Sequence, residues 1–470
     1  MVFLGAASLA LLSGCCMTAK CPAKKVPVPA AKTAVKKTVS ELRLQKNFFL
    51  PEKIYAVPGV EVNIYFKNVF LAMNPANYMF DVNARVGRHF AKRWSYTPGA
   101  ADAGKSFPLT LQVMDENGLV AEGKTTIIVS RADAGKGRKL AVLMVGDSLT
   151  NATIYPARVH THFKKAGNPA FTMIGSHRGS GRPPVVNGVA HEGYGGWRWD
   201  TFLTRYNDPA KAKTAVAKFY SRSKFITKDK NGKIVFDLKG YLAKYAKGKT
   251  PDIVTFQLGV NDVFAATDAN RCARIETILK HADALLAAFR KELPNAVFGV
   301  GFVTGGSGQD SFGANYKNGQ TAWGYYVNHF RLNQTMAKHF AKSKDPKLYL
   351  VPSQINLDTE NNFPDRMEAV NAGNPRKILR QRNGVHPAAA GYNQMGDTYY
   401  AFMKYILAQG DPKTAVKAPA KKVPVKAVKA PVKKASAKAV KAPAKKVPVK
   451  AVKAPVKKAP AKVKTVKVKK

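Results

Sequence analysis

Four short segments carry side chains that can take part in catalysis, and each borders a predicted strand or helix. Between them these segments contain the residue types Gly, Ser, Asn and His. The four segments are Gly146-Asp147-Ser148-Leu149, 193–197, Gly259-Val260-Asn261-Asp262 and Asn383-Gly384-Val385-His386. A Ser at the carboxyl end of a buried strand lies where open α/β sheets bind ligands. Backbone N–H groups near such a junction can stabilise an anion, and glycines let the backbone approach it closely. The pattern indicates a candidate reaction site around Ser148.

The elements that must position these segments follow an alternating strand and helix pattern. Residues 140–145 form a continuous apolar run, as is typical of a buried parallel strand, and a helical pattern runs from Tyr155 to Gly167. A second helix follows His386 and stops at Gly410. We therefore predict a three-layer α/β/α domain with the site at the carboxyl edge of a short parallel sheet. Its predicted strands are 140–145, 171–176, 252–259, 296–303 and 347–352.

Taken together and in this order, the four segments resemble the conserved blocks of the SGNH, or GDSL-type, hydrolase superfamily. The resemblance covers residues 139–410 and implies a flavodoxin-like α/β/α fold that hydrolyses esters. It implies that Ser148 is the nucleophile and His386 the general base. The oxyanion hole would consist of the backbone N–H groups of Ser148 and Gly196 and the side-chain amide of Asn261. The residues expected to support this site or to lie near the substrate are Asp147, Gly195, Trp197 and Asp262.

The last block departs from the pattern of the family, which usually has Asp-x-x-His. Here Asn383 occupies the Asp position. An Asn oxygen can hold the imidazole tautomer without stabilising imidazolium. We therefore expect either a Ser–His dyad oriented by Asn383 or a carbonyl, or an acid from elsewhere, for which Asp365 and Glu368 are candidates. The position of His386 just before a helix favours a neutral imidazole.

The charge of the chain is extreme and unevenly distributed. Its 470 residues carry a formal net charge of +48, and 45% of them are hydrophobic, which excludes disorder of the whole chain. From Lys413 to Lys470 there are 21 Lys and no acid, within a repetitive Lys/Ala/Pro/Val tail at 411–470 that is predicted to be disordered. A Lys/Pro/Ala linker is predicted at 22–40. We expect the tail to bind anionic envelope polymers, and nucleic-acid binding through counterion release to be incidental.

The first residues are typical of a bacterial lipoprotein signal. A short apolar run ends in Leu12-Ser13-Gly14-Cys15, which resembles a lipobox and predicts a signal and anchor at 1–21 with lipidation of Cys15. The expected location is the bacterial cell envelope, exported and membrane-anchored; the alternative is secretion after ordinary signal cleavage. No Lys or Arg precedes the apolar run, which leaves open a start upstream of Met1.

Residues 41–131 are predicted to form a small all-β sandwich in front of the hydrolase domain at 138–410. Alternating apolar residues at 107–113 and 125–129 flank a turn at 115–118. Trp94 and Tyr96 allow two interpretations, a sugar-stacking platform or an ordinary buried core, of which the core is the more common.

Other polar residues give weaker signals. His191, beside the Gly-dense loop, is interpreted either as lining the site or as a surface residue. The glycine-rich segment 305–313 is predicted to be a mobile loop over the pocket. No HExxH motif is present, and three of the four Cys lie in the first 21 residues, outside the folded part, so we assign no metal and no cofactor.

These observations predict an exported serine esterase that deacetylates O-acetylated polysaccharide. The export signal, the β-sandwich and the aromatic residues Trp197 and Trp199 favour a sugar substrate. The alternatives are a lipase or thioesterase acting on acyl lipids, and a glycan- or envelope-binding lipoprotein without catalytic activity. A degenerate, inactive hydrolase is a further alternative.

Overall fold

The computed structural model describes residues 41–177, 187–313 and 319–410. The predicted signal and anchor with Cys15, the linker at 22–40 and the tail at 411–470 lie outside these ranges, and statements about them stay predictions. Within the described ranges, no helix is both long enough and apolar enough to cross a bilayer.

The first part of the described chain is built of short strands. In chain order its elements are β1 (Lys53–Ala56), β2 (Val62–Tyr65), α1 (Phe66–Val69), β3 (Met79–Ala84), β4 (Arg88–Phe90), β5 (Arg93–Tyr96), β6 (Ser106–Asp115) and β7 (Gly118–Val129). They form a sheet in the order β1-β7-β6-β3 and a second sheet in the order β2-β5-β4. All pairs are antiparallel except β1 and β7.

The two sheets share one apolar core, which confirms the predicted sandwich. Leu111 and Ile127 from the larger sheet pack in the same cluster as Ile64 and Trp94 from the smaller one. Alternate residues of β6 are buried, because successive side chains of a strand point to opposite faces. Trp94 is 2% exposed and its Nε1 donates to Val86 O, so the core interpretation of this residue is confirmed.

The second part alternates strands and helices. Its first half contains β8 (Lys139–Gly146), α2 (Ser148–Asn151), α3 (Ile154–Phe163), β9 (Ala170–Ile174), β10 (Glu192–Gly193), α4 (Thr201–Thr204), α5 (Ala215–Tyr220), β11 (Ile226–Lys228), β12 (Ile234–Phe236) and α6 (Leu238–Ala246). Its second half contains β13 (Ile253–Gln257), α7 (Val260–Val263), α8 (Arg271–Glu292), β14 (Val297–Gly301), α9 (Ala322–Phe340), β15 (Leu348–Val351), β16 (Asp365–Asn371), β17 (Asn374–Gln381) and α10 (Ala389–Gln409).

The central sheet of this part is parallel throughout its described pairings. Its order is β10-β8-β13-β14-β15, and β9 pairs with β8 along the same edge as β10. The predicted parallel sheet is confirmed, with each of the five predicted strands found within a few residues of its expected place. The order places β8 between β9 and β13, which is the switch point where open sheets of this type bind ligands.

Helices cover both faces of the parallel sheet. Along β14, Phe298 contacts Arg290 of α8, while the next position, Gly299, faces Phe402 of α10. Adjacent residues of a strand point to opposite faces, so α8 and α10 lie on opposite sides. This confirms the three-layer α/β/α architecture. The apolar face predicted for the last helix is also present, with Met395 and Tyr399 fully buried.

The β-sandwich packs closely against the α/β part through buried polar contacts. The backbone N–H of Asn63 donates to Asn356 Oδ1 at 2.8 Å, and Asn68 Nδ2 donates to the backbone oxygens of Gln354 and Leu357. The Tyr326 hydroxyl donates to backbone oxygens of α1 and the residue after it. These bonds satisfy backbone groups that burial would otherwise leave unpaired. The division of the chain into a β-sandwich domain at 41–131 and a hydrolase domain at 138–410 stays a prediction.

Candidate active site

Ser148 and His386 form the centre of the candidate site. Ser148 is the first residue of α2, directly after β8, and Asp147 Oδ1 caps this turn by accepting from Leu149 N–H at 2.9 Å. Ser148 Oγ lies 2.8 Å from His386 Nε2, a hydrogen-bond distance. Both side chains are only partly buried, so solvent and substrate can reach them. The pair has the geometry of a nucleophile and its general base.

Burial lowers the pKa of His386 from its ordinary value. A partly desolvated imidazole is harder to protonate, because the charged form loses more hydration than the neutral form. His386 is therefore neutral at pH 7 and can accept the proton of Ser148. This direction agrees with the neutral form expected from the sequence, and its cause is burial of the ring.

Asn383 plays a different role from the one expected for it. Its Oδ1 accepts hydrogen bonds from the backbone N–H groups of Val385 at 3.0 Å and His386 at 2.8 Å. The oxygen thus fixes the turn that carries His386 and is occupied by backbone donors. The expectation that Asn383 Oδ1 orients the imidazole ring is corrected accordingly: Asn383 positions the main chain.

The two candidate acids do not take the place of the missing Asp. Asp365 and Glu368 both lie on β16, in a hairpin with β17, and Asp365 is exposed. Glu368 pairs with Arg366 and with Arg380, the latter at 3.6 Å. Within the described ranges, the side-chain hydrogen bond of the His386 ring is the one to Ser148. This arrangement fits a Ser–His dyad.

The Gly-dense loop is held against the nucleophile turn by the main chain. Gly193 pairs with Gly146 of β8, and Tyr194 N–H donates to Gly146 O at 3.0 Å. A side chain at Gly193 would lie 2.5 Å from Asn151 N, so this close approach requires glycine. Gly196 has a φ of +77°, a left-handed conformation that favours glycine. Gly195 and Gly196 are both exposed at this turn.

Asn261 is tied to the same loop. It lies in α7, which directly follows β13, the neighbour of β8, and its Nδ2 donates to Trp197 O at 2.9 Å. An amide nitrogen carries two hydrogens, so a second donor remains available. The Gly-dense loop is hydrogen-bonded to Gly146 on one side and to Asn261 on the other. These bonds bring the three predicted oxyanion-hole residues to one edge of the sheet. Asn261 is partly buried, as are Ser148 and His386.

Two carboxyl groups lie buried behind the site. Asp147 is fully buried and Asp262 is 4% exposed; Asp262 Oδ1 accepts from Trp199 N–H at 3.3 Å. Burial raises the pKa of both carboxyl groups to about 7. In each of them Oδ2 has no hydrogen-bond partner among the described residues. These two residues support the fold of the site and do not line its surface.

The expectation that Trp197 contacts the substrate is wrong. Its side chain is 2% exposed and stacks on Tyr194 with ring centroids 4.0 Å apart. Trp199 is fully buried as well. Neither indole offers a face to a sugar, so the aromatic part of the argument for a sugar substrate fails.

Glu192, a residue to which the sequence analysis gave no role, holds the Gly-dense loop. Glu192 is fully buried, and its carboxylate accepts from Ser176 and from the hydroxyls of Tyr194 and Tyr241, the last at 2.7 Å. Burial raises its pKa, although these bonds favour the ionised form. The sequence contains one signal of this role, a Glu directly before a Gly-dense loop. A charged residue among glycines and aromatic residues indicates specific polar contacts.

His191 lies neither in the site nor on the surface. It is fully buried; its Nδ1 accepts from Gly193 N–H at 3.1 Å and its Nε2 bonds Thr153 Oγ1 at 3.0 Å. Burial lowers the pKa of His191 to about 3, so the ring is neutral. It links the Gly-dense loop to the segment after Ser148.

Within the described ranges, no group of three or more His, Cys, Asp and Glu side chains is placed to hold a metal ion.

Comparison with solved structures finds esterases among the proteins that this chain resembles. The chain is similar to a family 3 carbohydrate esterase from Clostridium thermocellum, at 16% identity and a TM-score of 0.34 over 58% of this chain and 98% of that one. It is also similar to an acetyl xylan esterase, at 13% identity and a TM-score of 0.27 over 56% and 99%. No protein-family model and no curated protein matches it. Likenesses of this size carry no inference about activity, which has to come from the site itself.

Proposed function

We propose that the chain is a serine ester hydrolase that removes O-acetyl groups from polysaccharide. The observation that carries the hydrolase proposal is the 2.8 Å hydrogen bond between Ser148 Oγ and His386 Nε2. It joins a nucleophile at the carboxyl end of a central strand to a neutral base. The predicted export signal and the β-sandwich favour a polysaccharide substrate, as they did from the sequence.

The reaction proceeds through an acyl-enzyme. Ser148 Oγ attacks the ester carbonyl carbon while His386 Nε2 takes the hydroxyl proton. The oxyanion that forms accepts hydrogen bonds from the N–H groups of Ser148 and Gly196 and from Asn261 Nδ2. His386 then gives its proton to the departing alcohol oxygen as the C–O bond breaks. Water, deprotonated by the same imidazole, then attacks the carbonyl carbon of acetyl-Ser148. The bond between that carbon and Ser148 Oγ breaks, His386 returns the proton to Oγ, and acetate is released.

Removing the nucleophile tests the proposal. We expect Ser148→Ala to lower kcat on an activated acetyl ester and on acetylated xylan by about 10⁴-fold or more, since nucleophile and base act as a unit. Ser106→Ala, at the exposed start of β6, is the matched control and should leave kcat unchanged. Turnover of acetyl, butanoyl and octanoyl esters is compared by initial rates.

Each competing function has its own outcome in this experiment. A rate that rises from acetyl to octanoyl esters would favour a lipase or thioesterase over a deacetylase. A glycan-binding protein would be favoured if the wild-type protein shows no turnover and if it and the Ser148→Ala variant bind glycan equally well. Inert protein without glycan binding would favour a degenerate hydrolase.

We further propose that the chain is exported to a bacterial cell envelope, anchored there by a lipid on Cys15, and bound to anionic polymers through its 411–470 tail. In a bacterial host, Cys15→Ser should abolish labelling by radioactive palmitate, while Cys16→Ser, the neighbouring thiol, should not. Labelling that survives Cys15→Ser would contradict lipidation at this residue. Deletion of 411–470 should reduce retention on an anionic polymer column and weaken its salt dependence.

A further inference from the structure

A second cavity lies where the β-sandwich meets the α/β part. Its volume is about 80 Å³, the space of about two to three waters in the liquid. Its walls come from the segment that follows β2, from α9 and from the glycine-rich segment after β14. The lining residues used below are Lys67, Met73, Gly305, Ser307, Trp323 and His329.

One buried side chain that lines this cavity has ring nitrogens without a hydrogen-bond partner. His329 is 2% exposed, and neither of its ring nitrogens has a hydrogen-bond partner among the described residues. A side-chain carbon built on Gly305 would lie 3.5 Å from His329 Nε2, so the ring edge faces the open space that this glycine leaves. Buried polar groups without partners are rare in folded proteins and point to a missing water or ligand.

The ammonium group of Lys67 adds a positive charge to the same cavity. Burial lowers the pKa of Lys67. Burial also lowers the pKa of His329 to about 3, and the nearby Lys67 ammonium adds to that lowering. Among the described residues Lys67 makes no ion pair, whereas Lys92 pairs with Glu360 at 2.6 Å. Lys67 is partly buried, and its Nζ lies 5.9 Å from the centroid of the Tyr326 ring. The carboxylates of Asp358 and Glu360 act on it without forming an ion pair, so its ammonium hydrogens can be donated to an anion in direct contact.

The composition of the cavity selects the kind of anion. One ammonium and one neutral imidazole offer a single positive charge, and the nearby carboxylates of Asp358 and Glu360 oppose a second negative charge. A monoanion such as a carboxylate therefore fits better than a dianionic phosphate. Trp323 in the wall supplies an aromatic ring of the kind that packs against a sugar, and Met73, 77% exposed, lies at the mouth.

We propose that this cavity binds the carboxylate of an acidic sugar, with Lys67 and His329 as its hydrogen-bond donors. The site would select acetylated polysaccharides that contain uronate residues. The choice of a sugar rests on the proposed deacetylase function, whereas anion binding by the cavity does not.

The cavity wall is bonded to the turn that carries the general base. Ser307 N–H donates to Gly384 O at 3.2 Å, and Gly308 N–H donates to Gln381 Oε1. Gly384 lies two residues before His386. A sugar bound at the cavity would therefore contact a wall that is bonded directly to the turn carrying His386.

The experiment measures binding without hydrolysis. The full chain carrying Ser148→Ala is titrated with glucuronate, glucose and acetate, and binding is followed by ligand-observed NMR. Adding Lys67→Met should weaken glucuronate binding at least about tenfold, because a charge-assisted hydrogen bond is lost. Adding Lys92→Met removes the same charge from an exposed position outside the cavity and should leave the affinity within about twofold. The basic tail is present in every variant and cancels in the comparison.

A second variant guards against a folding defect. His329→Phe keeps the ring volume and removes both nitrogens, and should also weaken glucuronate binding while thermal unfolding still shows a folded protein. Equal affinity in the Lys67→Met and Lys92→Met proteins would overturn the site. Glucose or acetate binding as tightly as glucuronate would overturn the acidic-sugar assignment. Failure of the esterase proposal would appear as absent turnover with glucuronate binding intact, so the two results are distinguishable.

Discussion

At the scale of single residues, the imidazole of His386 sets the acid limit of the reaction. As the pH falls through its pKa, the ring takes up a proton and can no longer accept one from Ser148. Because burial lowers that pKa from the ordinary value of 6.5, we expect kcat/KM to remain high at pH 6.5 and to fall only at lower pH. Initial rates on an activated acetyl ester across the pH range measure the midpoint.

The control for this profile is the folded state itself, followed by circular dichroism at each pH. An acid limb centred at or above pH 6.5, in protein that is still folded, would contradict a desolvated His386. A carboxylate on the ring would produce that result, since a nearby negative charge raises the pKa of an imidazole.

The sequence predicts residue types at the reaction centre better than it predicts what each side chain contacts. Ser148 and His386 are found together as expected. Asn383 and Trp197 are placed in the right segments, yet Asn383 bonds the main chain and Trp197 is buried. Spacing along a turn constrains the backbone, but which way a side chain points depends on neighbours from distant segments.

At the scale of elements, the turn before α10 depends on one side-chain oxygen. Asn383→Ala leaves the N–H groups of Val385 and His386 without this acceptor, which should cost about 1–3 kcal/mol of unfolding free energy and lower kcat at least about tenfold. Asn383→Asp keeps an acceptor oxygen in place and should retain kcat within a few-fold. Urea unfolding and steady-state kinetics on the three proteins provide the measurement.

The matched control is Asn371→Ala, in the exposed turn of the β16–β17 hairpin. Asn371 Oδ1 also accepts a backbone N–H, that of Gly373 at 3.0 Å, but this turn does not carry His386. The Asn371→Ala variant should therefore lose little kcat. Equal losses from Asn383→Ala and Asn383→Asp would show that the amide N–H₂, rather than the oxygen, matters at this position.

Long apolar strands and the last helix could be read from the sequence because their patterns extend over several residues. Strand β10 consists of two residues, too few to show any period, and the hairpin of β16 and β17 is largely exposed and lacks an apolar face. The buried network around Glu192 depends on Ser176 and Tyr241, which lie on other elements. Such contacts leave no local periodicity.

At the scale of the whole molecule, the two buried carboxyl groups make stability depend on pH. Asp147 and Asp262 have a pKa of about 7 in the folded chain, against an ordinary value of 3.8. The folded state therefore holds protons that the unfolded chain has released, and unfolding free energy falls as the pH rises from about 4 to about 7. In Asp262→Asn, the fall between pH 5 and pH 8 should be smaller by on the order of 2 kcal/mol.

Urea unfolding at the two pH values measures this difference. Asp268→Asn is the control, since its side chain is 95% exposed and should not alter the dependence on pH. An unchanged difference in Asp262→Asn would mean that this carboxyl group is ionised in the folded protein at pH 5.

The joint between the β-sandwich and the α/β part was not predictable from the sequence. Asn63 and Asn356 are 293 positions apart, and nothing near either one indicates the other. A polar residue in an otherwise apolar strand is the only local trace of such a contact.

The separation of Ser148 from His386 has a consequence for how the chain becomes active during synthesis. The two residues are 238 positions apart, and His386 is placed by α10, which packs between α3 and β1. A nascent chain can complete most of its parallel sheet before that helix leaves the ribosome, yet it still lacks a base. Ester hydrolysis therefore reports that α10 and the turn carrying His386 have joined the rest of the fold.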